Sequence, residues 1–559
     1  MTTYRRDAVA APVLKGLPFK AFVSALESPA GGALLHKILT DSGFQRFREA
    51  DAGHASPIQV PLPWPDPSPT GASPEQLANE ATQMAQVTRG PRLETVGEFA
   101  RAYRSGTTTP SAVVGKLEKH IAALDEGPSR MGWFIARKPD QVAKAAEEST
   151  ERLKGGTARS VLEGVPVVVK DEMDVAGFPT TLGTTFLKTP AAAHCTIVAR
   201  LVAAGAIVLG KANMHEIGIN PIGFNAHYGQ ARNPWDRGRI TGGSSSASAA
   251  TVAAGLAPIS IGADGGGSIR IPASICGVVG LKATWGRISE AGIPPLCWNP
   301  GHAGPLGLTV ADVAAAYAII AGRDPRDVSS QAQPPVHLEG IAQMNLEGIR
   351  LGVCRPWFDD ADAAVVNACN RAIDACVKAG ARVVELPAPD MNTMLWSHAT
   401  IILSEMAAAM QPYLREDKSR FGLDVRVSLR IGSEFRSTDY VHAMRHRSAL
   451  TAQWLELLKT CDAVVTPTTA STAAPITESA LPEGETNLQL SDALLRFIRP
   501  GNLTGFPGLS VPAGYDEKGL PIGVHFAGRP YEEALLLRLG RVVEAQVERR
   551  LPAVHVSVL

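Results

Sequence analysis

The chain has 559 residues, of which 45% are apolar and 19% charged, a globular composition with enough material to bury a large core. Its 54 Lys and Arg balance its 54 Asp and Glu, so there is no global field to recruit nucleic acid or an anionic membrane, and a small-molecule partner is expected. The seven cysteines are dispersed without CxxC pairs, MTTYRRDAVAAPVLKGLPFK is not expected to act as a secretory signal, and the most apolar run, CTIVARLVAAGAIVLGK, is interrupted by Arg200. A cytoplasmic chain with reduced thiols and no transmembrane segment is therefore expected, with peripheral membrane association left open.

In chain order, VLKGLPFKAFVSAL and GGALLHKILTDSGFQRFREA carry apolar residues at helical spacing, and the proline-dense VPLPWPDPSPTGASP at 60–74 reads as an extended strap. A boundary near residue 75 separates this N-terminal helical extension, 1–75, from a catalytic unit, 76–559. SPEQLANEATQMAQVTRG and SAVVGKLEKHIAALDEG then read as amphipathic helices. From about residue 160 the texture changes to short two-sided apolar runs punctuated by glycine: GVPVVVKDE, AIVLG, APISIG, GVVGLK. Helical stretches alternate with them through VVNACNRAIDACVKAG, and DAVVTPTTA and PGLSVPAG continue the strands. One large α/β unit is predicted.

Two motifs mislead. GAIVLGKA at 205–212 matches GxxxxGK, but Ala212 stands where a magnesium-holding hydroxyl is needed and the middle residues are strand-like. His215-Glu216 is followed by Ile217, Gly218 and Ile219, so no HExxH metal pair forms.

Three other stretches are better placed for chemistry. RITGGSSSASAATVAAGL, 239–256, delivers the chain through a tight loop into a helix, where its hydroxyls serve either as caps or in a reaction. In GADGGGSIRIP, the N–H groups of Gly265, Gly266, Gly267 and Ser268 have little side-chain bulk around them. They suit an oxyanion hole, with a phosphate cradle or a bare turn as the rival readings. Lys170 closes the valine run of GVPVVVKDEMDVAG. Burial disfavours an ammonium, which makes a lysine a usable base; the plainer alternative is an ion pair with Asp171, Glu172 or Asp174.

Together, GVPVVVKDEMDVAG, GGSSSASAA and GADGGGSIRIPASICGVVGLK resemble the three core blocks of the amidase signature family, in its order and with its separations, over roughly residues 90–550. The resemblance implies an α/β amidase-signature fold, one large mixed β-sheet covered by helices on both faces. It makes Ser268 the acyl-forming nucleophile, Ser244 a proton relay on a cis peptide and Lys170 the neutral base. Residues 265–268 become the oxyanion hole, with Asp264, Arg270 and Ser245 in support, and no metal or cofactor is implied. Ala263 stands where the family often has threonine, and Ala247 where glycine is common.

GKANMHE at 210–216, the serine block and EGETNLQLSDALLRFIRPGNLTGFPGLSVPAGYDEKGLPIG at 483–523 further resemble the plant-type fatty acid amide hydrolases, which also carry an N-terminal helical extension. This implies a homodimer and a small-molecule amide substrate with an apolar acyl group, an N-acylethanolamine or a relative. Met214, Ile217, Gly218 and Ile219 are candidates for its pocket, with core packing as the other reading. Alternatives are a broad aryl acylamidase or carbamate hydrolase, a glutamine amidotransferase subunit, and an inactive binding protein on the same fold.

Overall fold

The computed structural model describes residues 4, 6–7, 11–53, 55–57, 72–84, 86–127 and 130–559. Most of the proline-rich strap lies outside the described residues.

Thirteen strands are described: β1 (Leu14–Lys15), β2 (Phe134–Ala136), β3 (Pro166–Lys170), β4 (Ile207–Ala212), β5 (Ile259–Ala263), β6 (Val279–Lys282), β7 (Ala303–Gly307), β8 (Arg350–Val353), β9 (Arg382–Glu385), β10 (Ala463–Pro467), β11 (Glu485–Thr486), β12 (Gly508–Tyr515) and β13 (Pro521–Gly528). Eleven form one sheet in the order β2-β4-β3-β5-β7-β6-β12-β13-β10-β8-β9, and β1 pairs with β11 apart from it. Pairing is mixed: β3 runs parallel to both β4 and β5, whereas β12 and β13 are antiparallel. Every residue of β3, β5 and β13 is buried, as apolar runs covered on two faces require. Helices cover both faces, and the core includes Val167, Ile261, Val279 and Val524 from strands with Val313, Ile373 and Leu537 from helices.

The strand-like reading of 205–212 is resolved locally. The longer apolar run CTIVARLVAAGAIVLGK divides into the helix Thr196–Ala203 and then β4, with Lys211 wholly buried in the strand and ion-paired to Asp171 at 2.9 Å. The second N-terminal helix predicted from GGALLHKILTDSGFQRFREA is two helices, Gly31–Asp41 and Phe44–Glu49. Gly43 breaks them apart in the left-handed region at φ 87°.

These N-terminal helices pack on the helices Met391–Asp417, Leu423–Gly432 and Ser437–Thr460. Phe44 lies 4.9 Å from the Trp396 ring and 5.0 Å from that of Phe435. Arg426 pairs with Glu27 at 2.6 Å and Arg48 with Asp439 at 2.8 Å. Among the described residues no helix is long and apolar enough to cross a membrane.

Candidate active site

Because β3 and β5 are adjacent and parallel, with Val167 opposite Ile259 and Val169 opposite Ile261, both end at the same sheet edge. Lys170 is the last residue of β3, and the glycine loop leaves the end of β5. Loops at the carboxyl ends of parallel strands are where α/β sheets place their sites. Lys170 Nζ donates to Ser244 Oγ at 2.8 Å and to the Ala263 carbonyl at 3.4 Å. Its third oxygen neighbour is Glu172 Oε2 at 2.6 Å. Of the three nearby carboxylates, Glu172 is therefore the one that pairs; Asp171 is taken by Lys211, and Asp174 accepts from Thr180 Oγ1 at 2.6 Å. The Gly243–Ser244 peptide bond is cis. Directly after it the helix Ser246–Ala253 begins, and the Ser245 hydroxyl ties this segment to β5 by donating to the Ala263 carbonyl at 3.1 Å.

The loop 264–268 is organised around Asp264. Its carboxylate accepts from Gly267 N–H at 2.6 Å, Ile269 N–H at 3.1 Å and Arg270 Nε at 3.0 Å. Asp264 and Arg270 are both wholly buried. Burial opposes the charge on Asp264, but Arg270 and Asn502 outweigh it and hold the carboxyl well below the usual range. Asn502 donates to Asp264 Oδ1 and to the Asp264 carbonyl, each at 2.8 Å, and accepts from Arg270 Nη2 at 2.6 Å. Sequence reasoning passed over Asn502 because nothing within GNLTG marks one residue as chemical; its partners lie far away along the chain.

One part of the sequence-based expectation is corrected here. Four free N–H donors were expected at 265–268, but the side chain of Asp264 folds back on its own loop and engages Gly267 N–H. Among the described residues, Gly265, Gly266 and Ser268 N–H are left without an acceptor. Gly267 adopts φ 121°, and a β-carbon there would lie 1.7 Å from Ile498 Cδ1, so glycine is required at that position. The Ser268 carbonyl accepts from Ser245 N–H at 3.3 Å, and the residue is 8% exposed. Among the described residues no hydrogen bond joins Ser268 Oγ to Ser244 Oγ.

The pocket candidates divide. Ile217 is fully buried in an apolar cluster with Leu182, Leu296, Met406, Met410 and Phe421, and Ile219 packs at its edge. Gly218 connects this cluster to the hydroxyls, since a β-carbon there would lie 3.3 Å from Ser244 Oγ and 3.5 Å from Leu296 Cδ1. Met214 is fully buried outside the cluster, against Gly183. A cavity of about 360 Å³ opens beside Glu172 and Gly265, walled by Trp285, Glu290, Leu296, Cys297 and Trp298. His215 and Glu216 are held apart by separate partners, His215 by Asp424 at 2.8 Å and Glu216 by His227 at 2.9 Å.

A family model described as Amidase matches residues 117–537. A fatty acid amide hydrolase of Oryza sativa subsp. japonica is 35% identical, with 99% of this chain and 96% of that protein covered. The fatty acid amide hydrolase of Arabidopsis thaliana is 36% identical, covering 100% of this chain and 96% of the relative. Among solved structures, the native peptide amidase of Stenotrophomonas maltophilia superposes with a TM-score of 0.70 at 28% identity, over 82% of this chain and 98% of that one.

Proposed function

This chain belongs to the amidase family and is a hydrolase of amides, and from that premise we propose that it cleaves apolar-acyl amides, N-acylethanolamines among them, through an acyl-enzyme on Ser268. The observation that carries the proposal is the buried hydrogen bond from Lys170 Nζ to Ser244 Oγ at the sheet edge from which the Ser268 loop departs.

In this reading Lys170 is the general base of the cycle, with the Glu172 carboxylate 2.6 Å from its Nζ. The Ser268 hydroxyl swings toward Ser244 and gives it its proton, while Ser244 passes its own to Lys170 and Ser268 Oγ bonds to the amide carbon. The carbonyl oxygen takes up the electron pair and faces the open N–H groups of the glycine loop, whose fixed direction stabilises the developing charge. As the C–N bond breaks, the proton returns from Lys170 through Ser244 to the leaving nitrogen, which departs badly unless protonated. Water then cleaves the acyl ester by the same relay.

The acyl chain is assigned to the Ile217, Leu296, Met406 and Met410 cluster, reached past Gly218. The N-terminal helices pack on the helix that supplies both methionines and on its neighbours, and they serve as an outer wall for that cluster. Full-length similarity to two fatty acid amide hydrolases supports an apolar acyl group. Such a pocket separates chain lengths by only about 1–3 kcal/mol per methylene, so a broad range is expected.

The test is one panel of long N-acylethanolamines, short aliphatic amides, aryl amides, carbamates and glutamine. The highest kcat/KM is expected for the long N-acylethanolamines; a preference for glutamine or for short amides overturns the substrate class.

A further inference from the structure

The glycine loop poses a problem of its own. A peptide group between two glycines turns over easily, because no β-carbon on either side resists rotation. The Gly265–Gly266 peptide is such a group, and its N–H is one of the three left without an acceptor among the described residues. An oxyanion donor is useful only if its direction is fixed before the charge develops.

The required constraint comes from a distant element. His398, on the long helix Met391–Asp417, is 6% exposed and places Nε2 at 2.9 Å from the Gly265 carbonyl oxygen. A carbonyl only accepts, so Nε2 carries the hydrogen. Burial holds this imidazole down to about 4, so it is neutral around pH 7 and a single tautomer makes the contact. The same helix closes on the loop from the side. A β-carbon on Gly266 would meet His398 Cε1 at 2.8 Å, and one on Gly265 would meet Ile402 Cδ1 at 3.2 Å, one turn further on. Glu405, another turn along, anchors the helix by accepting from Trp298 N–H at 2.6 Å and Asn299 N–H at 3.0 Å.

In a trans peptide the C=O and the following N–H point in opposite directions from one plane. We propose that His398 is a positioning residue: by holding the Gly265 carbonyl it aims the Gly266 N–H away from the helix and toward the oxyanion. The inference rests on the reading of Ser268 as nucleophile and adds to it a residue that touches neither substrate nor serine.

The experiment compares His398→Leu, His398→Asn and His398→Gln on an acyl p-nitroanilide, with inhibition by a trifluoromethyl ketone of the same acyl chain. A glutamine amide reaches the place of Nε2, whereas an asparagine amide falls short of it. Removing one oxyanion donor costs roughly 10²–10³-fold in kcat, so loss of its positioning is expected to cost about 10–100-fold. For the Leu and Asn variants that loss should fall in kcat with KM nearly unchanged, the ketone should weaken by the same factor, and Gln should restore most of both. Equal activity of the Gln and Asn variants, or a Leu variant with wild-type kcat, overturns the proposal. Should the Leu variant fail to fold, the Gln and Asn pair decides alone. Labelling of the wild-type enzyme by a fluorophosphonate separates the two readings: a label away from Ser268 refutes the nucleophile, while a label on Ser268 with indifferent His398 variants refutes only the positioning.

Discussion

Lys170 Nζ lies 2.8 Å from Ser244 Oγ, and each residue is only 1% exposed. At that burial no bulk water substitutes for the amine, so Lys170→Ala is expected to lower kcat/KM by about 10²–10⁴-fold. Initial rates on an acyl p-nitroanilide at neutral pH measure it, and an unchanged rate would mean that another base serves the reaction.

Ser268→Ala removes one oxygen from a loop otherwise held by Asp264, Arg270 and Asn502, so the fold should survive while hydrolysis falls by about 10³-fold or more. Circular dichroism checks the first part and turnover the second. Fluorophosphonate labelling with peptide mass mapping should find the adduct on Ser268 in the wild type and none in the variant.

Gly218 adopts φ 71° and faces Ser244 Oγ, with a β-carbon separation of 3.3 Å. Gly218→Ala therefore carries a backbone cost of about 1–2 kcal/mol and presses on the relay hydroxyl. We expect kcat to fall by about tenfold together with a lower melting temperature; a variant with wild-type kcat would move the reaction away from this face of Ser244.

Asp264→Asn leaves the guanidinium of Arg270 buried beside a neutral partner, a loss of about 3–5 kcal/mol. Denaturant midpoints report it. Because the Asp264 carboxyl is held below its ordinary range, its stabilisation is present above the unfolded carboxylate value and lost as pH falls through the lower folded one. Acid unfolding of the wild type should therefore reach this brace only in strong acid.

Glu544 and Asp312 behave in the opposite sense. Burial pushes each carboxyl up to about 7. Their unfolded values lie near about 4, so their favourable share is fully present below that value and is lost as pH rises through about 7. The melting temperature should fall from about pH 4 to about pH 7 and level off above it, with the decline flattened in Glu544→Gln. A variant whose pH profile matches the wild type would remove Glu544 from the account.

Some of this was legible without coordinates. The valine run of β3, the alternation of short buried strands with helices and the order of the glycine and serine blocks are properties of contiguous residues. Local steric and periodic rules act on them directly. The break at Gly43 was missed because an apolar spacing of three and four continues across it, and only the backbone records that the chain turns. Met214 was grouped with Ile217 on proximity in sequence, yet the loop sends their side chains to different neighbours.

By itself the sequence determined the α/β class, the family and the residues able to do chemistry, since those depend on residue type and short spacing. Which partner each group takes was decided by the tertiary structure alone. Glu172 is chosen over Asp171 because Lys211, on the neighbouring strand, reaches Asp171 first. Gly267 N–H is claimed by Asp264, and Asn502 comes to that carboxylate from 238 positions away. His398 meets the Gly265 carbonyl across 133 positions. A hydrogen bond is made or lost within a few tenths of an ångström, and only the packing of whole helices against the sheet sets distances that finely between residues so far apart in the chain.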